Sequence, residues 1–201
     1  MKTIVLATNN NNKVIEFTDF FEKHFPGEYI IKTQKQVGFF EDIAESGETF
    51  EENAYIKANT VMKATGLVSI ADDSGLEVDI LGGRPGVFSA RYAGEGCSSE
   101  DNINKLLQEL NGAPLEKRTA RFVCNICACY PDGRVVKATG KCEGIILDRK
   151  KGSGVFGYDP VFYFPPLSKT FAQLDIDIKN TVSHRGKALF KFADNFKLYK
   201  A

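Results

Sequence analysis

Apolar and polar positions follow one another along the chain in a pattern that predicts strands alternating with helices. Lys2–Ala7 is a short apolar run typical of a strand, and a polar stretch follows it. After that stretch, Val14, Phe17, Phe21 and Phe25 recur at the spacing of one helical face. The chain therefore begins as strand, loop and helix.

The same alternation continues through the next fifty residues. Glu28–Lys32 predicts a second strand, Phe39–Glu48 an acidic loop, and Thr49–Thr65 a second helix with Gly66 at its end. Leu67–Ala71 is an apolar run typical of a buried strand. Asp72-Asp73-Ser74-Gly75 follows directly, and this composition predicts a tight turn.

The second half of the chain predicts one more helix, a hairpin and a final helix. Ser98 or Ser99 begins the first of these helices. Arg118–Tyr130 and Arg134–Leu147 are long strand patterns separated by Pro-Asp-Gly, which indicates a β-hairpin. A short strand at Val161–Phe164 and a last helix that buries Leu189, Phe192, Ala193 and Phe196 complete the order. We expect an α/β fold with a mixed, twisted sheet flanked by helices.

Length and charge narrow the class of protein. A chain of 201 residues predicts a single domain over residues 1–201. Lysine and arginine number 26, as do aspartate and glutamate, so the net charge is zero and a nucleic-acid-binding module is disfavoured. No apolar run reaches the roughly 20 residues of a membrane span, and the apolar start is too short for a signal peptide. We expect a cytoplasmic protein.

Five cysteines, an odd number without a secretory signal, predict free thiols. Cys124, Cys127 and Cys129 fall in one predicted strand. Cys124 and Cys127 would point to opposite faces of that strand, which is incompatible with joint binding of one ion. We expect buried side chains that behave as small apolar residues.

The first polar segment that could carry chemistry lies between the first strand and the first helix. A helix N-terminus offers amide donors and partial positive charge, and a lysine adds a full charge, so a phosphate is favoured there. The segment lacks the P-loop pattern. An asparagine-rich turn that caps the helix is the alternative, and both remain open. Its residues are Thr8, Asn9, Asn10, Asn11, Asn12 and Lys13.

Carboxylates form the second candidate site. Glu45 lies in the acidic loop, and Asp72 and Asp73 end the third predicted strand. Carboxylate oxygens without histidine or cysteine partners favour a hard cation, and magnesium commonly binds through one or two carboxylates together with substrate phosphates. A solvated Asp-Asp turn is the alternative.

Aromatic residues beside an acid form the third candidate. Phe156, Gly157, Tyr158 and Asp159 precede a proline. Such side chains can stack on a nucleobase and hydrogen-bond its edge, although a turn with buried aromatics has the same composition.

The fourth candidate combines Lys179 with Ser183-His184-Arg185-Gly186 at the start of the last helix. Histidine and arginine offer donors to an anion or a carbonyl. Alternatively, Ser183 caps the helix and the charges are exposed. Magnesium, phosphate and an aromatic-lined base together predict a nucleoside triphosphate site.

These segments, in this order, resemble the inosine triphosphate pyrophosphatase family of XTP/dITP diphosphatases, and the resemblance extends from one end of the chain to the other. The segments that carry it are Thr8-Asn9-Asn10 with Lys13, Glu45–Ala54, Ala71–Leu76, Pro85–Tyr92, Phe156–Pro160 and Ser183–Gly186.

The resemblance implies two lobes with a cleft between them, a homodimer, and hydrolysis of ITP, dITP and XTP to the monophosphate and pyrophosphate. Such an activity cleanses the nucleotide pool and keeps deaminated purines out of DNA and RNA. A non-catalytic nucleotide-binding regulator and a pyrophosphatase for modified pyrimidine nucleotides are the alternatives.

The resemblance also implies roles for individual residues. Thr8–Lys13 and Lys57 would hold the phosphates, Glu45 and Asp73 would bind Mg²⁺, and Asp73 would accept the proton of the attacking water. Ser74 would contact the substrate. The residues that would hold the base are Phe156, Gly157, Tyr158, Asp159, Lys179, His184 and Arg185.

Overall fold

The protein is described by a computed structural model that covers residues 1–153 and 156–198. Its strands are β1 (Lys2–Leu6), β2 (Tyr29–Thr33), β3 (Val68–Val78), β4 (Thr119–Cys129), β5 (Val135–Ile146), β6 (Phe162–Phe164) and β7 (Lys169–Thr170). Its α-helices are α1 (Asn11–His24), α2 (Phe50–Thr65), α3 (Ser99–Glu109), α4 (Ile176–Val182) and α5 (His184–Leu198). No helix within these residues is long and apolar enough to cross a bilayer.

The strands form a mixed sheet, as the sequence predicts. Their order is β2-β1-β3-β4-β5-β6-β7. β1 pairs in parallel with β2 and with β3, so that Leu6 lies beside Thr33 on one side and Ile70 on the other. β6 pairs in antiparallel fashion with β5 and β7. The parallel part brings the ends of β1 and β3 to the same edge, where ligands bind in open α/β sheets.

Helix α2 begins and ends as its sequence predicts. Thr49 accepts the N–H of Glu52 through Oγ1 at 3.1 Å, and the Glu52 carboxylate accepts the N–H of Thr49 at 3.1 Å. This reciprocal capping satisfies two amides that the helix cannot bond internally. Gly66 closes the other end with a φ of 66°, a left-handed conformation that glycine adopts without strain.

The predicted turn at Asp72–Gly75 is wrong, because β3 continues through these residues to Val78. The strand is interior, with β1 and β4 as its neighbours. Beyond the four residues, the N–H of Leu76 is bonded to the Ser89 hydroxyl at 2.8 Å. Asp-Asp-Ser-Gly has the composition of a turn, but partners elsewhere in the chain hold it extended and buried.

The chain divides into two compact units, in keeping with the two lobes that the resemblance implies. The first comprises Met1–Asp73, Asn125–Thr139 and Ala188–Ala201, and the second comprises Ser74–Cys124 and Gly140–Lys187. A single functional domain over 1–201 stays a prediction.

Each unit has its own apolar core. In the first unit, Ala58 and Val61 on the buried face of α2 belong to the same core as Val5 of β1 and Cys127 of β4. In the second, residues of α3 pack with aromatic side chains; its buried members include Leu106, Leu110, Phe122, Phe162 and Phe171.

The prediction that the cysteines of β4 are buried side chains is confirmed. Cys124, Cys127 and Cys129 are each at most 1% exposed. Cys127 and Cys129 lie on the same face with their sulfur atoms 3.9 Å apart. Cys142 is also buried, whereas Cys97 is partly exposed.

We expect only Cys97 to react rapidly with a thiol reagent such as dithionitrobenzoate in the native protein, and all five cysteines to react after denaturation. Reaction requires an accessible thiolate, and burial raises the pKa of Cys142 to about 11. Cys97→Ser should remove the rapid phase. Rapid reaction of a second thiol would contradict the burial of the others.

Candidate functional site

The N-terminus of α1 is capped by its own asparagine. Asn10 accepts the N–H groups of Asn12 and Lys13 through Oδ1, at 3.0 Å and 3.3 Å. Thr8 in turn accepts the N–H of Asn10 at 3.1 Å. The capping interpretation is therefore confirmed. A phosphate bound here would compete with Asn10 for two amides, so Lys13 becomes the main source of attraction.

Lys13 forms an ion pair with Asp72. Its Nζ lies 2.9 Å from Asp72 Oδ2, and the Asp72 side chain is only 1% exposed. Lys13 and Asp72 come together because β1 and β3 pair in parallel. In this pairing the N–H of Ala7 donates to the carbonyl of Ile70 at 2.8 Å. Residues just beyond this pair therefore reach the same edge of the sheet, and α1 starts there.

Lys57 joins the other two carboxylates. Its ammonium donates to Glu45 Oε1 at 2.8 Å and to Asp73 Oδ1 at 3.0 Å. Successive residues of a strand point to opposite faces, so Asp72 and Asp73 meet different lysines. We call Lys13, Glu45, Lys57, Asp72 and Asp73 the lysine–carboxylate cluster. The alternative of a solvated Asp-Asp turn is wrong.

The electrostatics of this cluster follow from burial and close charges. Burial lowers the pKa of Lys57, but attraction to Asp73, Asp72 and Glu45 outweighs it, and the pKa lies above its ordinary value. Burial raises the pKa of Asp73, the nearby Glu45 raises it further, and Lys57 offsets only part of this. Lys57 is therefore charged at neutral pH.

The carboxylates fit a hard divalent cation. Glu45 and Asp73 both present an oxygen within 3.0 Å of the same ammonium, so their oxygens face one small volume. The described residues hold no group of three or more histidine, cysteine, aspartate or glutamate side chains placed to bind a metal. A cation here would therefore have fewer than three such protein ligands, and the two that face the same point are carboxylates. Two carboxylates leave most of the coordination sphere to substrate oxygens and water.

A second cluster, in the second unit, combines an aromatic ring with cations. Phe156 is 38% exposed, and Lys179 Nζ lies 5.1 Å from the centre of its ring. Lys179 also forms an ion pair with the buried Asp159. The Arg185 guanidinium carbon is 6.0 Å from the same ring centre. We call Phe156, Asp159, Lys179 and Arg185 the aromatic–cation cluster.

Tyr158 anchors the loop that carries Phe156. It is 4% exposed, and its hydroxyl donates to the Ser89 carbonyl at 2.9 Å. Burial raises the pKa of Tyr158, so it acts as a neutral donor. Gly157 between the two aromatics has a φ of 52°, which lets one ring face outward while the other faces the core.

The start of α5 holds His184 and Arg185 inside the second unit. Ser183 Oγ accepts the N–H of Gly186 at 3.1 Å, which confirms the predicted cap. The alternative in which these charges are exposed is wrong, because both side chains are buried. A Cβ at Gly186 would overlap the carbonyl of Asn180, so only glycine lets this turn approach the end of α4 so closely.

Two contacts fix the orientation of these side chains. The His184 imidazole stacks on Phe122 with ring centres 4.7 Å apart and planes 16° apart. Arg185 Nη2 donates to Ser74 Oγ at 3.4 Å. Ser74 directly follows Asp73 on β3, so this hydrogen bond links Arg185 to the strand that carries the buried aspartates.

Sequence reasoning missed several residues that support the second cluster. Phe122 stacks on His184, and the Phe171 ring centre lies 5.8 Å from Lys179 Nζ. Both are ordinary core positions by their local pattern. Ser89 accepts from Tyr158, and its place in the Pro85–Tyr92 segment of the resemblance was the one available signal.

Comparison with known proteins adds to this geometry. The sequence pattern of the Ham1 family matches residues 4–195. The chain is 46% identical over 196 residues to a dITP/XTP pyrophosphatase of Bacillus cereus, covering 96% of this chain and 94% of that protein. It is 49% identical over 188 residues to a protein of the same name from Desulforamulus reducens, covering 94% and 92%.

Solved structures agree with the fold. The Ham1 protein of Staphylococcus aureus superposes with a TM-score of 0.90 at 42% identity, over 100% of both chains. A nucleoside-triphosphatase, or dITP/XTP pyrophosphatase, of Mycobacterium abscessus gives a TM-score of 0.80 at 38% identity, over 94% of this chain and 96% of that one.

We expect Lys57→Met to lower the free energy of unfolding by about 3 kcal/mol, because two poorly exposed carboxylates lose their shared counter-ion. Lys137→Met is the matched control. Lys137 also binds one carboxylate, that of Glu51, at 2.8 Å, but the two side chains are 46% and 53% exposed. An exposed pair contributes at most about 1 kcal/mol. Urea denaturation measures both, and equal losses would contradict the assignment of Lys57.

Proposed function

Because the chain belongs to the Ham1 family, we propose that it hydrolyses dITP, XTP and ITP to the nucleoside monophosphate and pyrophosphate. The lysine–carboxylate cluster is the observation that carries this proposal. It places two lysines beside three carboxylates, a combination that would suit a polyphosphate together with a divalent cation. Curated relatives over nearly the whole chain are named dITP/XTP pyrophosphatases.

The charge of the cluster supports binding of a metal together with a triphosphate. Its two ammonium groups face three carboxylates, which leaves one negative charge in excess. A triphosphate alone would be repelled by that excess. A divalent cation reverses the sign, so that the loaded cluster attracts phosphate oxygens.

Glu45 and Asp73 would hold this cation, which we propose to be Mg²⁺. When bound, magnesium neutralises phosphate charge and polarises the phosphorus that water attacks. The oxygen-only donor set supports the choice of metal. Lys57 would then turn from its carboxylate partners to the phosphates, where its charge offsets that of the departing pyrophosphate.

Asp73 would act on the attacking water. Phosphoryl transfer depends mainly on positioning and charge neutralisation, so a base has only to orient the nucleophile and take its proton. A carboxylate beside a divalent cation stays ionised and can do both. Lys13, with Thr8, Asn9, Asn10, Asn11 and Asn12 around it, would hold the outer phosphates.

The aromatic–cation cluster would bind the base. The exposed Phe156 offers a face for stacking, and Lys179 and Arg185 lie beside it as hydrogen-bond donors. The 6-carbonyl of hypoxanthine and xanthine accepts hydrogen bonds, whereas the 6-amino group of adenine donates them. His184, Gly157 and Tyr158 would shape this part of the site, and Ser74 would contact the substrate.

A homodimer and a cytoplasmic location remain predictions from the resemblance and from composition. Two alternatives to the proposed activity have less support. A regulator without turnover would not need Glu45 and Asp73 directed at one point. A pyrophosphatase for modified pyrimidines would not need the donors of His184 and Arg185.

We expect hydrolysis of dITP in ¹⁸O-labelled water to give pyrophosphate and a monophosphate that carries the label, because the attack is proposed at the α-phosphorus. Activity should disappear with a chelator and return with magnesium. Asp73→Asn should abolish turnover while retaining nucleotide binding. Release of the nucleoside diphosphate and inorganic phosphate would instead mean attack at the γ-phosphorus and would refute the proposed reaction.

We expect kcat/KM for dITP and XTP to exceed that for dATP by a large factor, about 10⁴ where a site leaves buried donors unpaired with the wrong base. Arg185→Ala should reduce this ratio of kcat/KM values, mainly by lowering kcat/KM for dITP and XTP. Arg149→Ala removes an exposed arginine of the same unit and should leave the ratio unchanged. Equal kcat/KM for dITP and dATP in the unmodified chain would contradict base selection.

A further inference from the structure

The chain segment that follows Glu45 is held by side chains from the first turns of α2. The N–H of Gly47 donates to Asn53 Oδ1 at 2.8 Å. The N–H groups of Glu48 and Thr49 donate to Glu52 Oε2, at 2.8 Å and 3.1 Å. Three successive backbone amides, beginning two residues after Glu45, are thus bonded to one helix.

Asn53 differs from Glu52 in being buried. It is 1% exposed, whereas Glu52 is exposed. An unbonded amide group at such depth is costly, so the bond to Gly47 has little freedom to break. Glu52 already serves as the partner of the Thr49 cap, a common helix start. Asn53 has no role in capping, and its hydrogen bond connects the helix to the segment of Glu45.

Gly47 packs directly on the helix. A Cβ at this position would lie 2.6 Å from Glu52 Cβ and 2.8 Å from Asn53 Oδ1, closer than real Cβ atoms approach. The backbone of Gly47 therefore sits against α2 at a distance that any other residue would increase. Shape and hydrogen bonding both define the path of the chain after Glu45.

The same helix also contacts the Glu45 carboxylate. Lys57 lies four residues after Asn53, and residues at this spacing share one helical face. One face of α2 therefore holds both the backbone beyond Glu45, through Asn53, and its side chain, through Lys57. When Lys57 turns to phosphate, as proposed above, the ion pair no longer restrains Glu45. The hydrogen bond of Asn53 then becomes the remaining restraint from this face.

We propose that Asn53 is a positioning residue that sets the place of Glu45 for divalent cation binding. The inference rests on the proposed function in that it requires Glu45 to bind the metal. Groups that orient a ligand without touching the metal contribute strongly to affinity, and their loss typically weakens binding about 10- to 100-fold.

The test measures binding of Mn²⁺ alone by electron paramagnetic resonance, without nucleotide and without turnover. We expect Asn53→Ala to raise the Mn²⁺ dissociation constant about tenfold. Asn53→Asp keeps the acceptor for the Gly47 amide and should bind Mn²⁺ no more weakly than the unmodified chain. Gly47→Ala, which keeps Asn53 but displaces the backbone, should weaken binding as Asn53→Ala does.

Asn102 provides a matched control for loss of stability. It is 5% exposed, and its Oδ1 accepts the N–H of Ala93 at 2.7 Å, so it makes the same kind of contact in the second unit. Asn102→Ala should destabilise the protein by an amount similar to Asn53→Ala and leave Mn²⁺ binding unchanged.

Unchanged Mn²⁺ affinity in Asn53→Ala, or an equal loss in Asn102→Ala, would overturn the inference. Absence of saturable Mn²⁺ binding by the unmodified chain would overturn it too, because Glu45 would then have no metal to bind. Pyrophosphate release from dITP by the unmodified chain, measured in parallel, shows whether the proposed function survives such a result.

Discussion

Burial of Asp72 and Asp73 side by side on an interior strand is compatible with folding because each carboxylate meets a lysine. Removing an ion from water costs several kcal/mol even after relaxation, and only a close partner of opposite charge offsets that cost. Lys13 comes from the first turn of α1 and Lys57 from the middle of α2, so the two ion pairs tie both helices to β3. The charges to which we assign the chemistry are thus also the charges that fix these elements around the strand.

Much of the fold could be predicted because its signals are local. The reciprocal cap of Thr49 and Glu52 and the apolar spacing of α2 lie within a few residues of one another, and the structure has both. The turn predicted at Asp72–Gly75 failed for the opposite reason. Lys13, which pairs with Asp72, and Ser89, which bonds the neighbouring Leu76, are distant in the sequence, and no local pattern reports their approach. Exposure of His184 was one of two alternatives that the local pattern left open, and it is wrong because Phe122 on β4 provides a stacking partner inside.

The candidate site was recognised by its motifs, and the structure adds the connections among them. The motifs identify Glu45 and Asp73 as acids, but only coordinates show that a single ammonium lies within 3.0 Å of both. The structure also gives the two aspartates different partners, whereas the sequence distinguished them only through the family resemblance. Asp72 forms an ion pair with Lys13, and Asp73 shares Lys57 with Glu45. In the second unit, Tyr158 turns inward to Ser89 while Phe156 stays exposed, so the two aromatics of one motif have different surroundings.

The close approach of Gly186 to the Asn180 carbonyl has a genetic consequence. Every missense change of a glycine codon adds a Cβ, and at this position each one must push apart the end of α4 and the first turn of α5. That turn carries His184 and Arg185, and α4 carries Lys179. We therefore expect alleles altered at this codon to damage the proposed recognition of the base without changing any residue proposed to contact it.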